Sequence, residues 1–161
     1  LPISSNMLGM NNEEVQATAL VFTPKTAPPA KGWPIVVWAH GTTGIADICA
    51  PSRSQLNSYI KAMIEGLLTA GYVVVAPDYE GLGEPANNEL HPFLNVKSEA
   101  FSITDAVVAA RNYLGNKVSN RWMTVGHSQG GHAALSAAQY QSRAQLDYKG
   151  TVAVALHPIF N

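Results

Sequence analysis

A glycine-flanked serine, Ser128, constrains the fold of this chain more than any other feature of its sequence. Residues 126–130 read Gly-His-Ser-Gln-Gly, with the apolar run Trp122–Val125 before them and the alanine-rich run Ala133–Ala138 after them. A Gly-x-Ser-x-Gly pattern between a strand and a helix is typical of a sharp turn that lifts the serine hydroxyl above the edge of a sheet. The glycines let strand and helix approach closely and permit strained backbone angles. We therefore predict that Ser128 is a catalytic nucleophile.

A second motif supplies the groups that such a serine needs around it. The apolar run Ile35–Ala39 leads into residues 40–44, which read His-Gly-Thr-Thr-Gly. In hydrolases with this kind of turn, the loop after a neighbouring strand donates one backbone N–H to the oxyanion, and the residue after the nucleophile donates the other. These donors are predicted to be Thr42, with Thr43 as the weaker alternative, and Gln129. Losing one such donor typically costs ~3–4 kcal/mol of transition-state stabilisation.

Composition limits the classes of protein to which the chain can belong. It has 161 residues, of which 47% are apolar and 13% are charged, with a formal net charge of −1. This composition predicts a single globular domain. The sequence contains no basic run, so a nucleic-acid partner is not predicted. It also contains no apolar stretch near the ~20 residues that a membrane helix requires. One cysteine and scattered histidines give no metal-ligand spacing, so no metal site is predicted.

Strands and helices are predicted to alternate along the chain. The predicted strands are Glu14–Phe22, Ile35–Ala39, Tyr72–Ala76, Arg121–Val125 and Thr151–Leu156, and the predicted helices run from Ser52 or Ser54 to Ala70 (with Gly71 as the stop), from Ser98 to Leu114 and from Gln129 to Ser142. This alternation predicts an α/β fold with a mainly parallel sheet flanked by helices. Ligands bind at the carboxyl ends of the strands in such folds, which is where Thr42, Asp78 and Ser128 fall.

Together these motifs resemble the α/β-hydrolase superfamily, and within it the secreted lipase and esterase group. The resemblance covers residues 14–157 and rests on four segments, residues 40–44, 47–52, 77–83 and 126–131. The Pro-Asp-Tyr-Glu-Gly-Leu-Gly segment at 77–83 points most narrowly to the lipase-like group. The resemblance implies a secreted or periplasmic esterase or lipase with a Ser-His-Asp triad and no cofactor, acting on small-molecule or lipid esters.

The triad cannot be completed within the sequence. The order along the chain in this fold is serine, acid, histidine, and Ser128 is followed only by Asp147, His132 and His157. His132 lies one helical turn past Ser128 and is expected to pack along the helix. Asp147 precedes a strand and is expected at the wrong edge of the sheet, whereas His157 follows a strand and is expected to line the pocket. We expect this single domain to lack its C-terminal strands, so that a longer chain or a second segment supplies the triad Asp and His.

Several other residues have two open interpretations. His40, Asp78 and His157 are predicted to contact the substrate, although for Asp78 and Glu80 a structural role in bonding the loop is favoured. His127 is expected to pack on the buried side of the turn. Cys49 is either a small buried apolar residue or half of a disulfide whose partner lies outside this sequence; the implied secretion agrees with the disulfide.

The predicted function is carboxylic-ester hydrolysis through an acyl-enzyme on Ser128. One alternative keeps the same turn but makes the protein a peptidase or an acyltransferase. The other alternative is a non-catalytic binding module that has lost its triad. The missing Asp and His favour that module, and the intact serine motif and His-Gly loop oppose it.

Overall fold

The computed structural model describes residues 1–8, 13–41, 58–79 and 95–154. These residues form a six-stranded sheet flanked by three helices. The strands are β1 (Pro2–Leu8), β2 (Glu14–Phe22), β3 (Trp33–Ala39), β4 (Val73–Pro77), β5 (Val118–His127) and β6 (Asp147–Val154). The helices are α1 (Ser58–Thr69), α2 (Val96–Leu114) and α3 (Gln129–Tyr140), with short 3₁₀ turns at Gly115–Lys117 and Gln141–Ala144. The predicted α/β class is confirmed.

The sheet is mainly parallel, as predicted. Its strand order is β1-β2-β4-β3-β5-β6. Strands β4, β3, β5 and β6 run parallel to one another, while β1 and β2 form an antiparallel edge. Strand β1 was not predicted because the polar run Ser4–Asn6 interrupts any regular alternation of apolar and polar residues. What defines it is its continuous pairing with β2 from Pro2↔Leu20 to Leu8↔Glu14.

Helices cover both faces of the central strands, which explains why those strands are continuous apolar runs. Successive side chains of a strand point to opposite faces. Val73 and Val75 of β4 accordingly join the core cluster that contains residues of α2 and α3. Val74 and Ala76 join the cluster that contains Ile64 of α1. The edge strand β6 is less covered, since Val152 and Val154 are 47% and 51% exposed.

The order of the strands reverses direction at β3. The chain leaves β3 through α1 to reach β4 on one side, and returns through α2 to reach β5 on the other side. Ligands in open α/β sheets bind outside the carboxyl ends of the strands at such a reversal. Since Ala39 pairs with Gly126, the chain just after β3 and the chain just after β5 emerge side by side at this edge.

The helix ends follow local sequence signals. Tyr72 N–H donates to Leu67 and Gly71 N–H to Leu68, both at 3.0 Å, and Gly71 has φ 91. This is a Schellman end with glycine in the left-handed position, as predicted for Gly71. Helix α2 begins at Val96, two residues before the predicted Ser98, because the Asn95 side chain accepts a 2.9 Å bond from the Ser98 N–H. The predicted start of α1 at Ser52 or Ser54 lies outside the described residues.

Two glycines allow β3, β5 and α3 to meet without an intervening side chain. A Cβ atom at Gly126 would overlap the Gly130 carbonyl, and one at Gly130 would overlap the Ala39 carbonyl and lie 2.7 Å from the His40 carbonyl oxygen. Backbone atoms, which cannot rotate aside, occupy both positions. The approach of α3 to the sheet therefore requires glycine at 126 and 130.

We predict that Gly130→Ala destabilises the fold, because the new methyl group must displace the end of β3. The expected loss is about 1–3 kcal/mol or more in the free energy of unfolding, measured with denaturant. Gly66→Ala is the control, since Gly66 lies on an exposed turn of α1 with nothing within 4 Å of its Cβ position. That change should stabilise by about 0.5–1 kcal/mol. Equal effects of the two substitutions would contradict the packing argument.

Candidate active site

Ser128 occupies a strained turn between β5 and α3. Its backbone angles are φ 58 and ψ −122, and among the described non-glycine residues only Gln145 also has positive φ. Its N–H donates to the Val154 carbonyl of β6 at 3.0 Å, and its carbonyl accepts from the His132 N–H at 3.2 Å. Strained backbone of this kind persists only where the surroundings fix it, and it clusters at functional sites. The sharp strand-to-helix turn expected at Ser128 is therefore present.

The first turn of α3 and the end of β3 flank this serine. Gln129 is the first residue of α3, so its backbone N–H lies at the positive end of the helix dipole. On the other side, a Cβ atom at Gly41 would lie 3.8 Å from Ser128 Cβ and 3.4 Å from the His127 carbonyl oxygen. Thr42, the second predicted oxyanion donor, lies outside the described residues, as does Thr43. An anion next to Ser128 Oγ would meet the positive helix terminus.

His40 and Tyr79 form a buried stack at the carboxyl end of β3. Their ring centroids are 4.1 Å apart with an interplanar angle of 25°. The Tyr79 hydroxyl donates to the His40 carbonyl at 2.7 Å, and His40 Nδ1 lies 2.6 Å from the Gly41 carbonyl oxygen. Both residues are buried. These contacts fix the chain that leads towards residue 42, while the predicted contact of His40 with substrate stays a prediction.

Asp78 ties the ends of β2 and β4 together. Its side chain is buried and its Oδ2 accepts a hydrogen bond from the Thr18 hydroxyl. Its backbone N–H donates to the Thr18 carbonyl at 2.9 Å. A structural role was favoured for Asp78, and its two bonds to Thr18 agree with such a role. Its contact with substrate stays a prediction, and Glu80 lies outside the described residues.

A buried carboxylate, Glu99, lies against the first turn of α3 and was missed by the sequence analysis. Its side chain is 1% exposed. Oε2 lies 2.6 Å from His132 Nδ1, and Oε1 accepts a 3.4 Å bond from Gln129 Nε2. Burial raises the pKa of the Glu99 carboxyl, and the contacts with His132 and Gln129 offset part of that rise.

Glu99 could have been suspected from the helical period of α2. It lies on the stripe that continues through Ile103, Val107 and Ala110, all of which are buried. A carboxylate on such a stripe must have a buried partner. The partners lie about 30 residues further along the chain, at Gln129 and His132, where no local pattern indicates them.

The turn at residues 126–130 that carries Ser128 is called the elbow below, and the histidines and the acid near it in the chain are placed as follows. His132 does pack along α3, as expected, and also contacts Glu99. His127, expected to be buried, is exposed; that prediction is wrong, because it lies on the face of β5 with Met123 and Val125, which is only partly covered. Asp147 begins β6 and pairs with Arg121 of β5. Arg121 lies six residues before His127, so at about 3.3 Å per residue Asp147 is roughly 20 Å from the elbow. It therefore lies at the wrong edge of the sheet, as predicted. His157 and Cys49 lie outside the described residues.

The described ranges contain no grouping of three or more His, Cys, Asp or Glu side chains that could hold a metal ion. Within the same ranges, the helices are too short or too polar to cross a membrane. The chemical groups at the elbow are thus a serine hydroxyl, a helix-terminal amide, and a buried cluster of carboxylate, imidazole and carboxamide.

We predict that Tyr79 ionises later than a free tyrosine, because burial and then the charge of Glu99 raise the pKa of its hydroxyl well above 10.0. The unfolded chain releases this proton first, so stability should fall as pH rises above about 10. An alkaline titration followed by tyrosinate absorbance should show a late phase that Tyr79→Phe removes. In denaturant, the titration curves of wild type and variant should have the same midpoint and differ only in the amplitude of the tyrosinate absorbance, because the variant has one tyrosine fewer. A late phase that persists in the variant would assign it to another tyrosine.

Comparisons with known proteins agree with this geometry. The sequence model of the secretory lipase family matches residues 51–156. Lipase A of Candida antarctica in its closed state superimposes with a TM-score of 0.74 at 25% identity, over 93% of this chain and 36% of that one. The rice cell wall degrading esterase of Xanthomonas oryzae superimposes with a TM-score of 0.70 at 26% identity, over 93% of this chain and 40% of that one. A Legionella pneumophila protein superimposes with a TM-score of 0.77 at 27% identity, over 96% of this chain and 42% of that one. The chain thus spans less than half of each structure, and no curated protein sequence matches it significantly.

Proposed function

Because the chain belongs to the secretory lipase family, we propose that the protein hydrolyses carboxylic esters through an acyl-enzyme formed on Ser128. The observation that carries this proposal is the strained backbone of Ser128, φ 58 and ψ −122, held at the edge of the sheet where β3 and β5 end side by side. A serine in that conformation, between two glycines where a Cβ atom would overlap backbone atoms, is typical of a turn that lifts a nucleophilic hydroxyl above the edge of a sheet.

The proposed reaction has two steps. Ser128 Oγ loses its proton to a base and bonds to the ester carbonyl carbon, giving a tetrahedral oxyanion; the alcohol then leaves with a proton, and an acyl-serine remains. Water, deprotonated by the same base, attacks the acyl-serine and releases the carboxylic acid. We assign the oxyanion to the backbone N–H groups of Gln129 and Thr42. The position of Gln129 at the start of α3, and of Gly41 beside Ser128, supports this assignment.

The general base and its acid are proposed to come from residues outside the described ranges. Of the candidates within those ranges, Asp147 lies at the far edge of the sheet, and His132 Nδ1 is engaged by Glu99. The similar structures are more than twice as long as this chain, which supports a further segment as the source of the triad Asp and His.

Secretion and an ester substrate are also proposed from the comparisons. The matching family is one of secretory lipases, which supports release of the protein from the cell. The similar structures include a lipase and a cell wall degrading esterase. Because these two enzymes share ester hydrolysis, a carboxylic ester is the proposed substrate class for this protein.

Ser128→Ala in the full-length protein should abolish turnover of a p-nitrophenyl ester, with kcat/KM falling at least about 10³-fold. The same change should abolish covalent labelling by a fluorophosphonate, measured as the mass of the intact protein. Ser136→Ala is the matched control, since Ser136 lies two turns further along α3 and donates to the His132 carbonyl at 2.8 Å. It should keep both the label and the turnover.

The outcomes separate the alternatives. Labelling at Ser128 without ester turnover, but with cleavage of a peptide or transfer of an acyl group to another acceptor, would replace ester hydrolysis by that reaction. Folded wild-type protein that takes up no label would identify a binding module with an inactive serine.

A further inference from the structure

One carboxylate on α2 connects two residues in the first turn of α3. Glu99 uses one oxygen for Gln129 Nε2, at 3.4 Å, and the other for His132 Nδ1, at 2.6 Å. Gln129 and His132 are three residues apart and so share one face of the helix. The carboxylate therefore bridges the two helices at the turn that follows the nucleophile.

His132 extends this bridge to the backbone of the serine. Its N–H donates to the Ser128 carbonyl at 3.2 Å while its ring contacts Glu99. Gln129, the other partner, carries the backbone N–H that we assign to the oxyanion. Glu99 is thus connected to the strained serine through His132, and it bonds directly to the side chain of Gln129, whose backbone amide lies beside that serine.

Packing alone does not explain a carboxylate at this position. The stripe of α2 that carries Glu99 continues with Ile103 and Val107 in the apolar core. Burying a carboxylate is costly, and replacing a buried ionic pair by apolar residues often leaves stability unchanged or higher. What a fully bonded buried polar group provides is one fixed arrangement of its partners. A strained turn needs such fixing, because its backbone persists only where the surroundings determine it.

We propose that Glu99 and His132 are positioning residues, which hold the first turn of α3 so that the Gln129 amide and Ser128 match the transition state. This inference rests on the proposed ester hydrolysis. The bridge contacts groups whose positions matter most when charge develops on the oxyanion. Breaking it should therefore lower kcat and leave KM nearly unchanged.

Substitutions at His132 test the bridge, since its ring is 29% exposed and should tolerate change. Asparagine carries an amide nitrogen or oxygen on the same Cγ as the imidazole Nδ1, so it can donate to Glu99 or accept from it. Leucine can do neither. In the full-length enzyme, His132→Leu should lower kcat about tenfold or more, the equivalent of one hydrogen bond to a charged group. His132→Asn should keep most of the wild-type rate, and Glu99→Leu should lose at least as much as His132→Leu.

Asp105→Asn provides the matched control for a lost carboxylate on α2. Asp105 forms an ion pair with Arg143, with Oδ1 and Nη1 3.1 Å apart, and lies six residues beyond Glu99. Its substitution should change the denaturation midpoint without changing kcat. Affinity for an alkyl boronic acid, which mimics the tetrahedral intermediate on a serine, should fall in parallel with kcat/KM in His132→Leu and stay at the wild-type value in Asp105→Asn.

Amide hydrogen exchange at residues 129–132 measures the bridge without any substrate. His132→Leu should raise exchange there relative to the rest of α3, and His132→Asn should not. Unchanged kcat and local exchange in His132→Leu, with stability alone reduced, would overturn the proposal and leave a packing pair. A wild-type protein without esterase activity or fluorophosphonate labelling would instead refute the proposed function, while the exchange result would still decide whether the bridge holds the turn.

Discussion

The approach of backbone to backbone at Gly126, Gly130 and Ala39 is the constraint on which the rest of this structure depends. Strand β5 and helix α3 meet through the two glycines, and α3 meets the end of β3 through Gly130. Because these contacts involve no side chain, they cannot relax by a change of rotamer. They fix the angle at which the chain turns at Ser128, and they bring residue 41 alongside it. The geometry at Ser128 thus depends on the lack of a Cβ atom at positions 126 and 130.

The buried polar groups around this contact act on different parts of the same edge. Thr18 and Asp78 join the ends of β2 and β4, and Tyr79 supports the chain after β3 through the His40 carbonyl. Glu99 reaches the start of α3. Hydrogen bonds between groups far apart in sequence are well suited to this task, since their directionality specifies one arrangement where apolar contacts would accept several.

Much of this arrangement could be read from local patterns, and the remainder depends on long-range contacts. The period-two alternation of Glu14–Phe22 and the glycines around Ser128 predicted β2 and the elbow. Strand β1 escaped prediction because its pairing with β2, and not its own composition, makes it a strand. Glu99 escaped because its partners are Gln129 and His132, and the burial of His127 was mispredicted because coverage at a strand end depends on what packs there.

The hydrogen bond from the Ser128 N–H to the Val154 carbonyl has a consequence for the order in which the site forms during synthesis. The acceptor follows the serine by 26 residues, the difference between positions 154 and 128. On the ribosome the elbow therefore lacks this restraint until β6 has emerged and paired with β5. The glycine contacts and the turn of α3 can form earlier, because all of their atoms belong to residues up to 132. The serine thus acquires its final backbone restraint only after the following helix and strand have been made.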